Sequence, residues 1–282
     1  MGWLKDGIVE YLLSIYASFF SSINGLLDLA NKTPVDWMDG LLWNAVNEFN
    51  RNAILPIAYS LLTLFLLLEL VNILQRNDAK GMDSIYWVGT VILKIAICKA
   101  LIDNMDLIIQ IIFELTSFAI TNGKQFISTS GDISIDASDI AALEAGFEGI
   151  GIPTLLGSFL SGFILDFVQK ICFLIARVLI MLRFVEIYAI TAIGSLAFST
   201  FPSKEYSSIG KNFIKTMVAL NLHVILISVI LFMYMIIISA EVFVAQASDP
   251  LGTLFNGLAY TILLIIALFK SESWAKKFVG AN

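Results

Sequence analysis

The sequence predicts an all-α fold, a polytopic transmembrane helical bundle, and its composition and hydropathy carry that prediction. Apolar residues make up 58% of the 282 positions and charged residues 14%, whereas soluble domains carry roughly 45–50% and about 25%. Mean hydropathy is +0.86. Several stretches also reach the roughly 20 apolar residues that one helix needs to cross a bilayer. The chain is therefore expected to be built from membrane spans.

Five stretches have the length and apolarity of a span. They are 53–74, 85–102, 171–201, 216–240 and 251–269. Two further stretches are less certain, because 107–121 is short and 149–165 is rich in Gly and Ser. We therefore predict about five spans, with seven as the alternative.

The distribution of Lys and Arg predicts the orientation, since short cytoplasmic loops accumulate these residues. Segments 75–84, 201–215 and 270–282 hold eight basic residues in 38 positions, whereas 1–52, 122–153 and 241–253 hold four in 97. The first group is expected inside and the second outside. The N-terminus is then outside and the C-terminus inside, which five and seven spans both satisfy.

These assignments divide the chain into four consecutive regions. They are an extracytoplasmic amphipathic N-terminal region (1–52), the first two spans (53–102), an outer interfacial and acidic region (103–170), and a three-span core with a cytoplasmic basic loop and tail (171–282). The acidic part of the third region carries Asp132, Asp136, Asp139, Glu144 and Glu148.

A polar stripe runs along the segment that follows the second predicted span. On a helix, its members fall within roughly 80° of one another, and they include Asp103, Asp106, Gln110 and Glu114. We interpret this segment as an amphipathic helix at the outer interface. The alternative is a span whose acidic stripe lines a water-filled pore.

Ionisable residues inside apolar segments are the candidates for a subunit interface or a pore, because such groups are costly when they face lipid. Asp166, Lys170 and Arg177 fall within about 40° on one helix face, and Asp166 can pair locally with Lys170. Arg183 and Glu186, three residues apart, can pair likewise.

Small residues at positions 157 and 161 provide a second kind of interface candidate. Gly157 and Ser161 form a small-xxx-small pair, a pattern that allows two helices to approach closely.

Catalytic and metal-binding motifs do not appear in the sequence. There is one histidine, His223, and the two cysteines, Cys98 and Cys172, lie apart in apolar segments. Neither a nucleotide-binding glycine loop nor a nucleophile elbow is present. We expect a protein that is not an enzyme and that holds no cofactor or metal, with His223 hydrogen-bonded across helices.

The run RFVEIYAITAIGSLAF, followed by a short polar loop and GKNFIKTMVALNLHVILI, carries a family resemblance. Arg183 and Glu186 open one span, Ser207 to Gly210 lie in the loop, and Phe213 with Lys215 opens the next span. Over about 150–270 the chain resembles the TrbL-like polytopic membrane subunits of conjugative type IV secretion systems. Gly194 stands where a proline is expected in many relatives.

The resemblance implies a non-enzymatic channel component in the bacterial cytoplasmic (inner) membrane. It further implies a homo-oligomer in membrane lipid, working beside other channel subunits and cytoplasmic ATPases to translocate DNA or a relaxase–DNA substrate. Within that picture, Lys204, Lys211 and Lys215 are the candidates for docking the cytoplasmic machinery.

A secondary transporter or small-ion channel is the alternative function, because charged groups at span depth and His223 would suit it. Transporters are often built from internal repeats with broken helices at matching positions, and this sequence shows no such duplication.

Overall fold

The computed structural model describes residues 2–76, 81–130, 151–238 and 250–280, and within these ranges the fold is helical with no β-strand. A short 3₁₀ helix (Trp37–Gly40) precedes α2, and a π-helical turn (Asn50–Ile54) joins α2 to α3. The α-helices are α1 (Gly2–Asn31), α2 (Leu41–Phe49), α3 (Leu55–Arg76), α4 (Gly81–Asp103), α5 (Met105–Ser130), α6 (Ile152–Ala192), α7 (Gly194–Ser199), α8 (Ser207–Ile237) and α9 (Pro250–Val279). The all-α prediction is confirmed. The acidic residues predicted outside at 132–148 lie beyond the described residues.

Within the described residues, four stretches are long and apolar enough to cross a membrane. They are Trp37–Asn72, Met105–Gly123, Ser207–Ile237 and Phe255–Val279. Three of them contain or overlap the predicted spans 53–74, 216–240 and 251–269. The fourth, in α5, includes the segment interpreted above as interfacial, and its length and composition fit the spanning alternative. The number of spans and the orientation remain predictions.

The predicted span 171–201 does not form one continuous helix. Helix α6 ends at Ala192, Ile193 leaves helical geometry (φ −108°, ψ 5°), and the six-residue α7 begins at Gly194. A Cβ on Gly194 would lie 2.5 Å from Met105 Sδ and 2.8 Å from Phe213 Cζ. The break therefore coincides with a position where α5 and α8 approach the backbone too closely for a side chain.

The helices group into two compact units, each drawn from separate parts of the chain. The first contains 1–31, 117–181 and 223–273, and the second contains 32–116, 182–222 and 274–282. Both units are therefore assembled from distant segments, and the four consecutive regions predicted from the sequence stay a prediction.

The core of the first unit forms where α1 packs along α6. A buried apolar cluster joins the two helices, with Ile8, Val9 and Ile15 from α1 and Leu155 and Leu165 from α6. One turn further along, Phe19 is buried between Phe173 of α6 and Tyr234 of α8, with ring centroids 5.5 and 5.4 Å away.

Two hydrogen bonds join α8 to α9 within the first unit. His223 Nε2 lies 2.6 Å from Ser271 Oγ, and Tyr234 Oη lies 2.6 Å from Thr261 Oγ1. All four side chains are buried. The expectation that His223 hydrogen-bonds across helices is confirmed.

The core of the second unit is built around the end of α6 and the short α7. Trp37 stacks on Phe184 and Tyr188, with ring centroids 4.9 and 5.9 Å apart. The Tyr188 hydroxyl donates to the Pro34 carbonyl at 2.6 Å. These contacts attach the segment before α2 to the last turns of α6.

Candidate functional site

The segment predicted to dock cytoplasmic machinery, residues 201–215 (the basic loop), connects α7 to α8 in the second unit and includes the first turns of α8. Thr200 sits just before it and makes two hydrogen bonds. Its Oγ1 donates to the Ala197 carbonyl at 2.8 Å and accepts from the Gly210 amide at 3.1 Å. Inside the loop, the Tyr206 amide donates to Ser203 Oγ at 3.3 Å. These bonds fix the backbone at both ends of the turn.

At Gly210, α8 passes close to α7. A Cβ at this position would lie 2.8 Å from the Ala197 carbonyl oxygen and 3.0 Å from the Phe201 ring. Phe198 fills the remaining space, with its ring centroid 5.3 Å from that of Phe213. The loop is therefore held by a close backbone approach that only glycine permits.

The three lysines of the basic loop project from this fixed backbone toward the surface. The Lys204 side chain is 64% exposed, and Lys211 and Lys215 are exposed as well. Lys215 Nζ donates to the Gly280 carbonyl at 3.4 Å, which brings in the last turn of α9 with Lys276 and Lys277. Glu205 is the acidic residue within the loop itself. The loop and the tail thus share an excess of positive charge.

The C-terminal half of α3 packs against the basic loop. Lys204 Nζ lies 3.9 Å from the carboxylate of Glu69, and the Phe65 and Tyr206 ring centroids are 5.3 Å apart. Glu69 therefore faces Lys204. The end of α3, the basic loop and the tail, all predicted to be cytoplasmic, lie together in one unit.

The charged stripe of α6 forms the predicted local ion pair. Lys170 Nζ lies 2.7 Å from Asp166 Oδ2, with the Lys170 side chain 70% exposed and that of Asp166 14% exposed. Arg177 is exposed on the same helix, beside the exposed apolar side chains of Leu174 and Val178. Two cationic groups therefore stand on an apolar surface of the first unit.

The small-residue pair lies one to three turns before that stripe on α6. Gly157 and Ser161 are both partly buried, and between them the buried Ser158 donates to the Thr154 carbonyl at 3.1 Å. On the same helix, Phe159 contacts Tyr11 of α1, with ring centroids 5.3 Å apart. Part of this stretch is therefore already used for packing inside the chain.

Arg183 and Glu186 also form their predicted local pair, through Arg183 Nη1 and Glu186 Oε2. Arg183 is only 1% exposed, whereas about a third of the Glu186 side chain is exposed. The guanidinium is therefore buried within the second unit, and Glu186 is the member of the pair that reaches the surface. Their assignment to a subunit interface or pore stays a prediction.

The outer polar stripe is partly satisfied by neighbours within the second unit. Asp103 accepts a hydrogen bond from the Tyr59 hydroxyl, and Asp106 Oδ2 lies 3.4 Å from Arg51 Nη2. Gln110 is half-buried and Glu114 is exposed. The stripe is not one uninterrupted polar surface, because its first turn packs against the start of α3.

Sequence reasoning missed a buried polar cluster that closes the end of α6. Asn50 Nδ2 donates to the Ala192 carbonyl at 2.9 Å, and Ser195 Oγ donates to Asn50 Oδ1 at 2.7 Å. Asn50 thereby bonds to a carbonyl that the helix end leaves without an intrahelical partner. An asparagine in a membrane segment is the one signal that could have pointed to it, and its partners are about 145 residues away.

Comparison with protein families gives a match over most of the chain. A family described as "TrbL/VirB6 plasmid conjugal transfer like protein" matches residues 22–195. This range includes Asn50, the charged stripe of α6, the Arg183–Glu186 pair and Gly194, and it ends before the basic loop. No curated protein and no solved structure matches the chain. Because more than half of the chain is matched, the protein belongs to the TrbL/VirB6-like family of conjugal transfer proteins, membrane components of type IV secretion systems.

Proposed function

We propose that this chain is a non-enzymatic channel component of the secretion system in the inner membrane, and that the basic loop docks a cytoplasmic ATPase or scaffold subunit. The exposure of Lys204, Lys211 and Lys215 on a backbone fixed by Thr200 and Gly210 supports this proposal. A surface that is both rigid and charged loses little conformational freedom on binding and attracts a partner of opposite charge.

A role in the translocation path is supported by the cations of α6. Lys170 and Arg177 are exposed among lipid-compatible side chains such as Leu174 and Val178. A charged side chain that faces hydrocarbon is costly, so a second copy of the chain or a water-filled path would relieve that cost. We propose that these residues face a neighbouring copy in a homo-oligomer, whose copies share the wall around the DNA or relaxase–DNA substrate.

The docking role is tested by the double substitution Lys211→Ser and Lys215→Ser. Lys204 and the other cytoplasmic basic residues remain to hold the orientation. The variant is expected to insert and assemble normally, but to lose both plasmid transfer and co-purification with the ATPase. The matched control is Lys99→Ser, which removes an exposed lysine from α4, and it should transfer normally.

Three readouts separate docking from a structural effect. Membrane level and oligomer size report insertion and assembly, and the salt dependence of ATPase co-purification reports electrostatic binding. Normal transfer by the double variant would refute the docking role and leave the two lysines as topology determinants. If the double variant fails to insert, the two single variants are tested instead. Lys211→Ser keeps the contact between Lys215 Nζ and the Gly280 carbonyl.

A further inference from the structure

A polar cavity of about 530 Å³ lies in the second unit between the C-terminal half of α3 and the start of the basic loop. Its walls include Glu69, Asn72 and Gln75 from α3, and Ser203, Lys204 and Tyr206 from the loop. Sites for small ligands typically have roughly 300–1,000 Å³, so the cavity is large enough for a compact polar group.

The cavity wall carries two carboxylates, the buried Glu69 and the exposed Glu205, and one cation, Lys204. Glu69 is 5% exposed, and Lys204 Nζ stands 3.9 Å from its carboxylate, beyond hydrogen-bond distance. The Lys204 side chain is mostly exposed and can swing outward. A buried carboxylate with a loosely placed cation is suited to a ligand that supplies both a cation for Glu69 and an anion for Lys204.

The depth of the cavity in the bilayer follows from the ends of two candidate spans. The predicted span 53–74 ends next to the cavity-lining Gln75, and a candidate span begins at Ser207, so the cavity is expected at the boundary between hydrocarbon and head groups whichever way the chain is oriented. Tyr206 is the kind of side chain that anchors at this level. At the mouth of the cavity, Leu68 lines the wall and is exposed, and Leu64 is exposed one turn before it on the same side of α3.

We propose that the cavity binds the phosphoethanolamine head group of a membrane phospholipid. The ammonium donates hydrogen bonds to the Glu69 carboxylate, the phosphate accepts from Lys204, and the acyl chains lie along the exposed Leu64 and Leu68 of α3. A phosphocholine head group carries a cation without N–H donors, and a phosphoglycerol head group carries no cation. Both are expected to bind less well, since neither can hydrogen-bond Glu69 through a cation.

The test uses the purified full chain in detergent. Phosphatidylethanolamine, phosphatidylcholine and phosphatidylglycerol of equal chain length are added separately, and retained lipid is counted by native mass spectrometry. The wild type is expected to retain phosphatidylethanolamine roughly tenfold better than the other two, as a charge-assisted hydrogen bond would provide. Glu69→Gln should abolish the preference, and Glu114→Gln, an exposed carboxylate elsewhere, should preserve it.

A second variant tests the cavity independently, in case Glu69→Gln misfolds because Glu69 is buried. Asn72→Phe fills the cavity from an exposed position on α3, and it should also abolish the preference while the protein elutes as wild type on gel filtration. Equal retention of phosphatidylglycerol would refute the proposal in favour of general attraction of anionic lipid to the lysines. If soluble phosphoethanolamine competes for the cavity as well as phosphatidylethanolamine does, a lipid is refuted as the occupant.

Discussion

The substitution Gly210→Ala tests whether the basic loop depends on the close contact between α7 and α8. In an open helix position, Gly→Ala stabilises by about 0.5–1 kcal/mol, because alanine restricts the unfolded chain. At Gly210 the new methyl group would lie 2.8 Å from the Ala197 carbonyl oxygen and 3.0 Å from the Phe201 ring. The carbonyl belongs to the backbone, so the helices must separate to relieve the contact.

The magnitude follows from setting these two effects against each other. Overpacking of this kind typically costs about 1–3 kcal/mol, which exceeds the gain from the restricted backbone. A net loss of about 1–2 kcal/mol corresponds to a fall in Tm of about 2–8 °C for a chain of this size. The separation would also stretch the Gly210–Thr200 hydrogen bond, so transfer efficiency should fall with the stability.

The matched control is Gly89→Ala in α4, where a Cβ would meet nothing within 4 Å. This variant should keep or raise Tm, so the two substitutions are expected to act in opposite directions. Thermal unfolding in one detergent, followed by tryptophan fluorescence, measures both. A Gly210→Ala protein at least as stable as Gly89→Ala would refute the close approach.

Three other outcomes follow from contacts within the second unit and from the predicted topology. Asn50→Ala leaves the Ala192 carbonyl and the Ser195 hydroxyl buried without that partner, and is expected to destabilise by about 1–3 kcal/mol in the same unfolding assay; an unchanged Tm would contradict the cluster. Tyr188→Phe keeps the stacking on Trp37 and removes only the hydrogen bond to the Pro34 carbonyl, so the free energy of unfolding should fall by about 1 kcal/mol. A larger fall would mean that the substitution removes other contacts as well. With both native cysteines replaced, a cysteine at position 205 should react with a membrane-impermeant thiol reagent only from the cytoplasm and one at position 130 only from outside, and the reverse pattern would overturn the predicted orientation.

The features that could be predicted from the sequence depend on one helix at a time. Asp166 with Lys170, and Arg183 with Glu186, pair because helical spacing alone places them on one face. The apolar runs likewise predicted α3, α8 and α9, because the thickness of the bilayer sets the length of a membrane span. Composition indicates a membrane protein because it does not depend on tertiary contacts at all.

The features that could not be predicted depend on which distant segments meet. Glu69 faces Lys204 because α3 packs beside the basic loop, and neither residue carries a local signal of the other. Nothing in the sequence distinguishes Gly194 and Gly210 from Gly89. Only Gly194 and Gly210, however, lie where a neighbouring helix leaves no room for a side chain. Tertiary contacts between separate helices decide these cases, and one sequence does not specify them.

Photocrosslinking from position 211 shows directly whether the basic loop contacts the cytoplasmic machinery during transfer. A photoreactive amino acid replaces Lys211 in cells that are transferring the plasmid, and a matched control carries it at Leu115, an exposed apolar position on α5. Adducts are identified with antibodies to the system's ATPases and scaffold subunit. We expect a light-dependent adduct with one of these proteins from position 211 and none from position 115. The absence of such an adduct from position 211 in transferring cells, or equal adducts from both positions, would contradict this expectation.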